Sequence, residues 1–224
     1  LAQATCQHDR RPALCFEPST RIAKKMATLA ERITKLEEDF QTMTSDYDES
    51  LDTIWMLFAS MLVFFMHSGF SMLETGCVRH KNTQNILAKN LIVVTVGFLC
   101  WYIIGYPLAF GAPTASEPTR FAGANNFAMD GFWDAPSSFR NWLFQGAFCA
   151  TGATIVSGSM AERTQLKGFI TYTTLMTSFI YPIVIWWGWS GNGIFNYTDD
   201  NGVSTSMTGT PLMDFAGSGL VHLV

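Results

Sequence analysis

Four stretches of this chain contain no Asp, Glu, Lys or Arg: Ile54 to Leu73, Leu91 to Gly111, Trp142 to Met160 and Gly168 to Ser190. Each is about as long as the ~20 residues that carry an α-helix across a ~30 Å hydrocarbon layer. In lipid a backbone must satisfy its own N–H and C=O groups, so runs of this kind fold as helices. Averaged composition hides the pattern. At 48% hydrophobic and 14% charged, with a net charge of −4, the chain resembles an ordinary soluble domain. Split by position, however, 16 of the 32 charges lie in residues 1–50, and the other 174 residues carry the remaining 16. The reading is an all-α polytopic membrane protein behind a polar N-terminal extension. Nucleic acid is an unsuitable partner, because the balance is slightly acidic and no basic stripe with interleaved aromatics lies outside that extension.

Two domains are expected: an extension over 1–50, and a membrane domain over 51–224 with spans at about 51–75, 90–111, 138–161, 167–190 and 214–224. The last is incomplete, since the apolar stretch from Phe215 is only ten residues long. Leu1-Ala2-Gln3-Ala4 suits the small-residue tail of a cleaved secretory signal. Both ends therefore lead us to expect a longer parent chain.

In the extension the apolar residues Ile22, Met26, Leu29, Ile33, Leu36, Phe40 and Met43 are spaced 4-3-4-3-4-3, a three-heptad a/d seam. It implies a coiled-coil-like helix over 20–44, or one amphipathic helix lying on its own protein or on the membrane surface. Pro18, Ser19 and Thr20 suit its start, and Ser45-Asp46-Tyr47-Asp48-Glu49-Ser50 is expected to be a polar hinge before the first span. Cys6 and Cys15 can pair only in an oxidising compartment, whereas Cys77, Cys100 and Cys149 sit in or beside apolar helices as small buried thiols.

Loop charges set the orientation. The loop after the first span counts Arg79, Lys81 and Lys89, and the loop after the third Arg163 and Lys167. On the other side stand only Arg120 and Arg140, and the stretch from Gly191 to Met213 has no Lys or Arg. By the positive-inside rule the N-terminus lies outside.

Ionisable groups in a membrane segment need a reason, and few are present: His67, Glu74, Glu162, Asp214 and His222. Asp214 precedes an apolar stretch and can cap it by accepting from N–H groups at Gly217 or nearby, which does not exclude a functional role. Eight residues of helix would place His222 about 80° round and ~12 Å along from Asp214, too far for a hydrogen-bonded pair. Glu74 and Glu162 read as helix-end partners of the basic loops, and His67 as a packed helix contact. Trp186, Trp187 and Trp189 form an interfacial belt or offer one face to a cation. Phe144 and Phe148, one turn apart, are packing residues or a hydrophobic gate. The glycines inside spans (Gly146, Gly152, Gly158, Gly217, Gly219) point to closely packed helices. A membrane hydrolase built on Asp214 and His222 is unsupported, because no Ser or Cys nucleophile stands in a recognisable elbow.

Five strings, in order along the chain, make a resemblance. These are Asp52-Thr53-Ile54-Trp55; Gly69-Phe70-Ser71-Met72-Leu73-Glu74-Thr75-Gly76 with Val78-Arg79 and Lys81-Asn82-Thr83; Phe144-Gln145-Gly146-Ala147-Phe148; Ala161-Glu162-Arg163; and Asp214-Phe215-Ala216-Gly217-Ser218-Gly219-Leu220-Val221-His222. Together they resemble the ammonium transporter family (Amt/Mep, related to Rh glycoproteins) over Asp52 to Val224, leaving residues 1–50 uncovered. The resemblance implies an eleven-span homotrimer in the cell membrane, built on two inverted five-helix repeats with an extracellular N-terminus and a pore in each subunit. This chain would hold the first repeat, ending within its fifth span. It implies a transporter rather than an enzyme, with no cofactor or metal; the partners would be ammonium or ammonia, methylammonium included, and the lipid bilayer. By position, Trp189 looks like the aromatic that recruits NH4+ from outside, with Trp186 and Trp187 as alternatives. Phe148, with Phe144 before it, looks like a gate. Asp214 looks like the carboxylate that organises the site or assists proton loss, and His222 like the first of two pore histidines. An ammonium sensor on the same fold is the alternative.

Overall fold

A computed structural model describes residues 20–111, 121–123, 125, 127–130, 136–195, 210, 212–214, 217–222 and 224. Cys6 and Cys15 lie outside the described residues. Among those described every regular element is helical: α1 (Thr20–Cys77), α2 (Thr83–Cys100), α3 (Tyr106–Phe110), α4 (Pro136–Met160), α5 (Leu166–Leu175) and α6 (Tyr181–Trp189). Chain contacts divide into two units, Leu1–Leu51 and Asp52–Val224.

In the first unit the described part, from Thr20 onward, is helix; Pro18 and Ser19 of the expected start signal lie outside the described residues. The expected hinge at 45–50 is not there, for α1 runs on without a break to Cys77. The sequence has no Gly or Pro from Thr20 to Ser68, and the hydroxyls that might have competed with the helix bond back into it: Ser45 Oγ donates to Thr42 O (2.9 Å) and Ser50 Oγ to Asp46 O (2.7 Å). The seam residues Met26, Leu29, Ile33, Leu36, Phe40 and Met43 are all exposed.

The second unit is a helical bundle. Its helical stretches His80–Phe110 and Leu166–Trp189, and Lys24–Cys77, which begins in the first unit, are each long and apolar enough to cross a membrane. The fourth long helix, α4, has the length, 25 residues, but is more polar, with Arg140, Asn141 and Gln145 in its first turns. It can be, because it is the inner helix. Ala147, Cys149, Ala150, Thr151, Ala153, Thr154 and Ser157 are all buried against protein. Outer faces are apolar instead: Phe58, Met61, Leu62 and Phe65 on α1 and Leu91 and Leu99 on α2 are exposed. That inversion suits a hydrocarbon solvent.

Two residues shift the expected boundaries. The second span begins at Thr83, not near residue 90, so Lys89 lies inside α2 and is buried rather than belonging to the basic loop. The expected helical span over 214–224 is also not regular: residues 217–222 form 3-10 and turn structure, entered through Gly217 at φ +70°.

Two of these stretches, His80–Phe110 and Leu166–Trp189, each contain one π-helical turn, Trp101–Gly105 and Met176–Ile180, and both turns end at a Tyr-Pro pair, Tyr106-Pro107 and Tyr181-Pro182. Proline cannot donate to the carbonyl four residues back and its ring crowds it; widening the preceding turn relieves both problems. The two π turns pack on each other. A Cβ on Gly105 would stand 2.6 Å from Thr177 O and 2.6 Å from the Trp101 ring, so only glycine allows this approach. Around the crossing lie the fully buried Trp101, Tyr181, Phe169, Ile185 and Val93.

Candidate functional site

An aromatic path leads from α4 to the C-terminal segment. Phe144 and Phe148, one turn apart on α4, meet edge to face at 4.9 Å between ring centroids, and Phe148 meets Trp189 at 6.3 Å, again edge on. Beneath Trp189 lies Gly217, where a Cβ would come within 3.3 Å of the indole. The other two tryptophans are engaged elsewhere. Trp186 is buried, and Trp187 donates its indole N–H to Phe121 O at 2.9 Å and packs edge-on against the Phe121 ring.

Gly217 starts a turn that Asp214 holds. Its Oδ1 accepts from Gly219 N (2.9 Å) and Ser218 Oγ (3.4 Å), and its Oδ2 from Leu220 N (3.1 Å). Capping was expected at Gly217 or nearby; it falls two and three residues further on, since the chain turns through a positive φ before its N–H groups converge. Val221 N donates to Gly217 O at 3.1 Å, and His222 Nδ1 lies 3.1 Å from the same oxygen. A carbonyl only accepts, so Nδ1 is the donor in this contact. The turn sits against small residues of two helices: Gly152 of α4 faces Val221 O, and Gly188 of α6 leaves no room for a Cβ beside Leu220. All five anticipated residues, Phe144, Phe148, Trp189, Asp214 and His222, thus lie along one line of contacts through Gly217.

A second polar centre joins α1, α2 and α4. Glu74 Oε1 accepts from Ser157 Oγ; its Oε2 accepts from Asn90 Nδ2 at 3.2 Å and lies 3.6 Å from Lys89 Nζ. Lys89 also donates to Ser157 O (2.7 Å) and stands over the Phe169 ring at 4.9 Å from its centroid. Glu74, Lys89, Asn90 and Ser157 are all buried. The carboxylate was expected to pair with a loop base; it pairs instead with a lysine inside the next helix. The signal for Lys89 was its place six residues after Thr83, with only Asn90 between it and the apolar run from Leu91. His67, anticipated as a helix contact, is buried between Thr151 Oγ1 (3.4 Å from Nε2) and Thr154 Oγ1 (3.3 Å from Nδ1).

Between the ends of the helices, Glu162 sits in the left-handed region at φ 60° and draws two loops together. Its Oε1 accepts from Arg79 N (2.9 Å), Asn82 Nδ2 (2.8 Å) and Arg79 Nε (3.4 Å). These bonds, the Arg79 backbone N–H first among them, hold its carboxyl down at about 2. That is the loop salt bridge expected of this residue.

The sequence profile of the Ammonium Transporter Family matches residues 54–224. The chain belongs to the ammonium transporter family. Among its relatives, ammonium transporter 1 of Caenorhabditis elegans is 39% identical over 191 residues, 85% of this chain and 34% of that protein. Ammonium transporter 3 of Dictyostelium discoideum is 38% identical over 196 residues, 84% of this chain and 41% of that one. Solved structures agree in fold. A variant of Candida albicans Mep2 superposes with a TM-score of 0.61 at 28% identity, covering 76% of this chain and 36% of that chain. A sensor Amt protein superposes at 0.57 and 29% identity, covering 62% and 34%. The chain therefore spans roughly a third to two fifths of the length of these proteins, and the Caenorhabditis elegans and Dictyostelium discoideum relatives are named as ammonium transporters.

Proposed function

We propose that this chain forms the first of two inverted five-helix repeats of an ammonium transporter. The protein would be a homotrimer in the cell membrane that recruits NH4+ at Trp189, admits it past Phe148 and Phe144, and passes NH3, a proton or both along a pore lined by His222. The observation that carries this reading is the continuous contact from Phe144 through Phe148 and Trp189 to the turn that holds Asp214 and His222. NH4+ and K+ differ little in size, but only NH4+ donates hydrogen bonds and can give up a proton. An indole face attracts either cation, whereas a dry lumen lined by imidazole favours the one that can deprotonate. Asp214 uses its carboxylate to set the turn, so its role is to place Gly217 and His222, and its residual negative charge favours a cation just outside.

The N-terminus lies outside. With Lys89 withdrawn into α2, the inner loops still hold Arg79, Lys81, Arg163 and Lys167 against Arg120 and Arg140. Residues 1–50 form an extracellular extension ahead of the membrane domain at 51–224, and the heptad helix adds a coiled-coil contact between copies. The test is growth on low ammonium of cells that lack their own uptake, complemented by the full natural protein. Asp214→Ala should abolish growth and Trp189→Leu should raise the ammonium concentration needed. Unimpaired growth of both variants would sink the assignment. The sensor reading would be favoured if the wild-type protein conducted no methylammonium while still altering the ammonium response of its host.

A further inference from the structure

The exposed seam of α1 has a register and a charge pattern that specify its occupant. Because the helix runs unbroken through residues 45–50, the seam does not end at Met43; Tyr47 is the next a position and is likewise exposed. The a positions are then Met26, Ile33, Phe40 and Tyr47, and the d positions Leu29, Leu36 and Met43. Beside this stripe the g positions are Lys25, Arg32, Asp39 and Asp46 and the e positions Ala30, Glu37 and Thr44, so Arg32 and Glu37 are the one oppositely charged pair that this register brings together. Neither has a counter-charge on its own helix: three or four residues from Arg32 stand Leu29, Thr28, Lys35 and Leu36, and from Glu37 stand Thr34, Ile33, Phe40 and Gln41. The charges on the outer face differ, for Lys35 has Glu31, Glu38 and Asp39 within that reach. In a parallel coiled coil a g residue meets the e residue of the following heptad on the neighbouring helix, which for Arg32 is Glu37.

We propose that the occupant is a second copy of this same segment, and that α1 assembles in parallel and in register through its a/d stripe with Arg32 of one copy bonded to Glu37 of the next. This rests on the homo-oligomer proposed above: copies with the same orientation in a membrane carry this segment on the same side of it. An amphipathic helix lying on lipid would bury the same apolar residues, but it would leave Arg32 and Glu37 without partners and would have no use for a strict 3.5-residue repeat.

The experiment uses the full natural protein in membranes of the expressing cells, with Cys6 and Cys15 changed to Ser throughout. Single cysteines are introduced at the d position (L36C) or on the outer face (E38C) and oxidised with copper phenanthroline. L36C should crosslink between copies at least tenfold faster than E38C; R32E added to L36C should cut the rate several-fold, and R32E/E37R should restore it. Equal crosslinking of L36C and E38C, or no rescue by the double charge exchange, would overturn the proposal. Ammonium uptake is measured on the same membranes. Its absence in the wild type, with crosslinking intact, would defeat the transport reading and leave this one standing.

Discussion

The side chains of Lys89 and Glu74 are only 8% and 7% exposed, so their charges are satisfied chiefly by each other and by the groups packed around them. The Lys89 amine has three partners in Glu74, Ser157 O and the Phe169 ring, and Glu74 has three in Lys89, Asn90 and Ser157. Removing one member of such a buried pair strands the other charge at a cost of about 3–5 kcal/mol, whereas removing both spares most of that. Glu74→Gln or Lys89→Met alone should therefore lower the melting temperature in detergent more than the double variant does, a comparison that one double-mutant cycle makes. Glu162 offers a second test at this scale. Its carboxyl is held at about 2 against an ordinary 4.5, so the contact with Arg79 and Asn82 is fully stabilising above pH 4.5 and is lost as the pH falls towards 2. Melting curves of the wild type should fall over that window relative to Glu162→Gln, which has no proton to gain there; parallel curves would contradict it. Of these residues only Glu162 had its partner legible in sequence, because a charge at a helix end beside basic loops has few choices. Glu74 and Lys89 are 15 positions apart on different helices, and no window of sequence connects them.

The elements follow from local rules with three exceptions. The helices Pro136–Met160 and Leu166–Trp189 end within a few residues of the runs expected at 138–161 and 167–190, but α2 starts about seven residues early and residues 217–222 are not a regular helix. A buried lysine and asparagine look like loop residues to any scale that scores polarity alone, and their partners on α1 and α4 are what draw them into the helix. The third exception is the missing hinge at 45–50, where a cluster of polar residues has no helix breaker and so does not break the helix. Between elements, the crossing of the two π turns depends on Gly105. Gly105→Ala would push a methyl into Thr177 O, a backbone atom that cannot swing aside, and should cost about 1–3 kcal/mol of stability by overpacking. Gly97→Ala, whose Cβ would sit 3.4 Å from Thr177 Cγ2, is the control and should be nearly neutral. Comparing the melting temperatures of these two variants checks whether the crossing or glycine content in general sets the packing.

At the scale of the membrane unit, large apolar side chains such as Phe58, Phe65 and Leu99 face outward while polar ones such as Thr151, Thr154 and Ser157 share the interior with an aromatic core, as suits a bundle in lipid. This was readable at once from charge placement. The family was readable as well, because its strings cluster where backbone conformation and buried polarity are both demanding: Glu74 with its neighbours, the Glu162 turn, and the Asp214–His222 segment. For the assembled protein, deleting residues 1–44 should lower the resistance of oligomers to detergent without abolishing ammonium uptake; native gels and uptake assays on the same preparation separate the two effects. What the chain's sequence determined by itself is its solvent, its helices and its family, since each depends on residues close together in the chain. The tertiary structure alone decided that Lys89 lies opposite Glu74, that Trp189 rather than Trp186 or Trp187 meets Phe148, and that Asp214 caps a turn instead of a regular helix. Each of those depends on which surfaces meet across the bundle, and close packing, not any local preference, settles that.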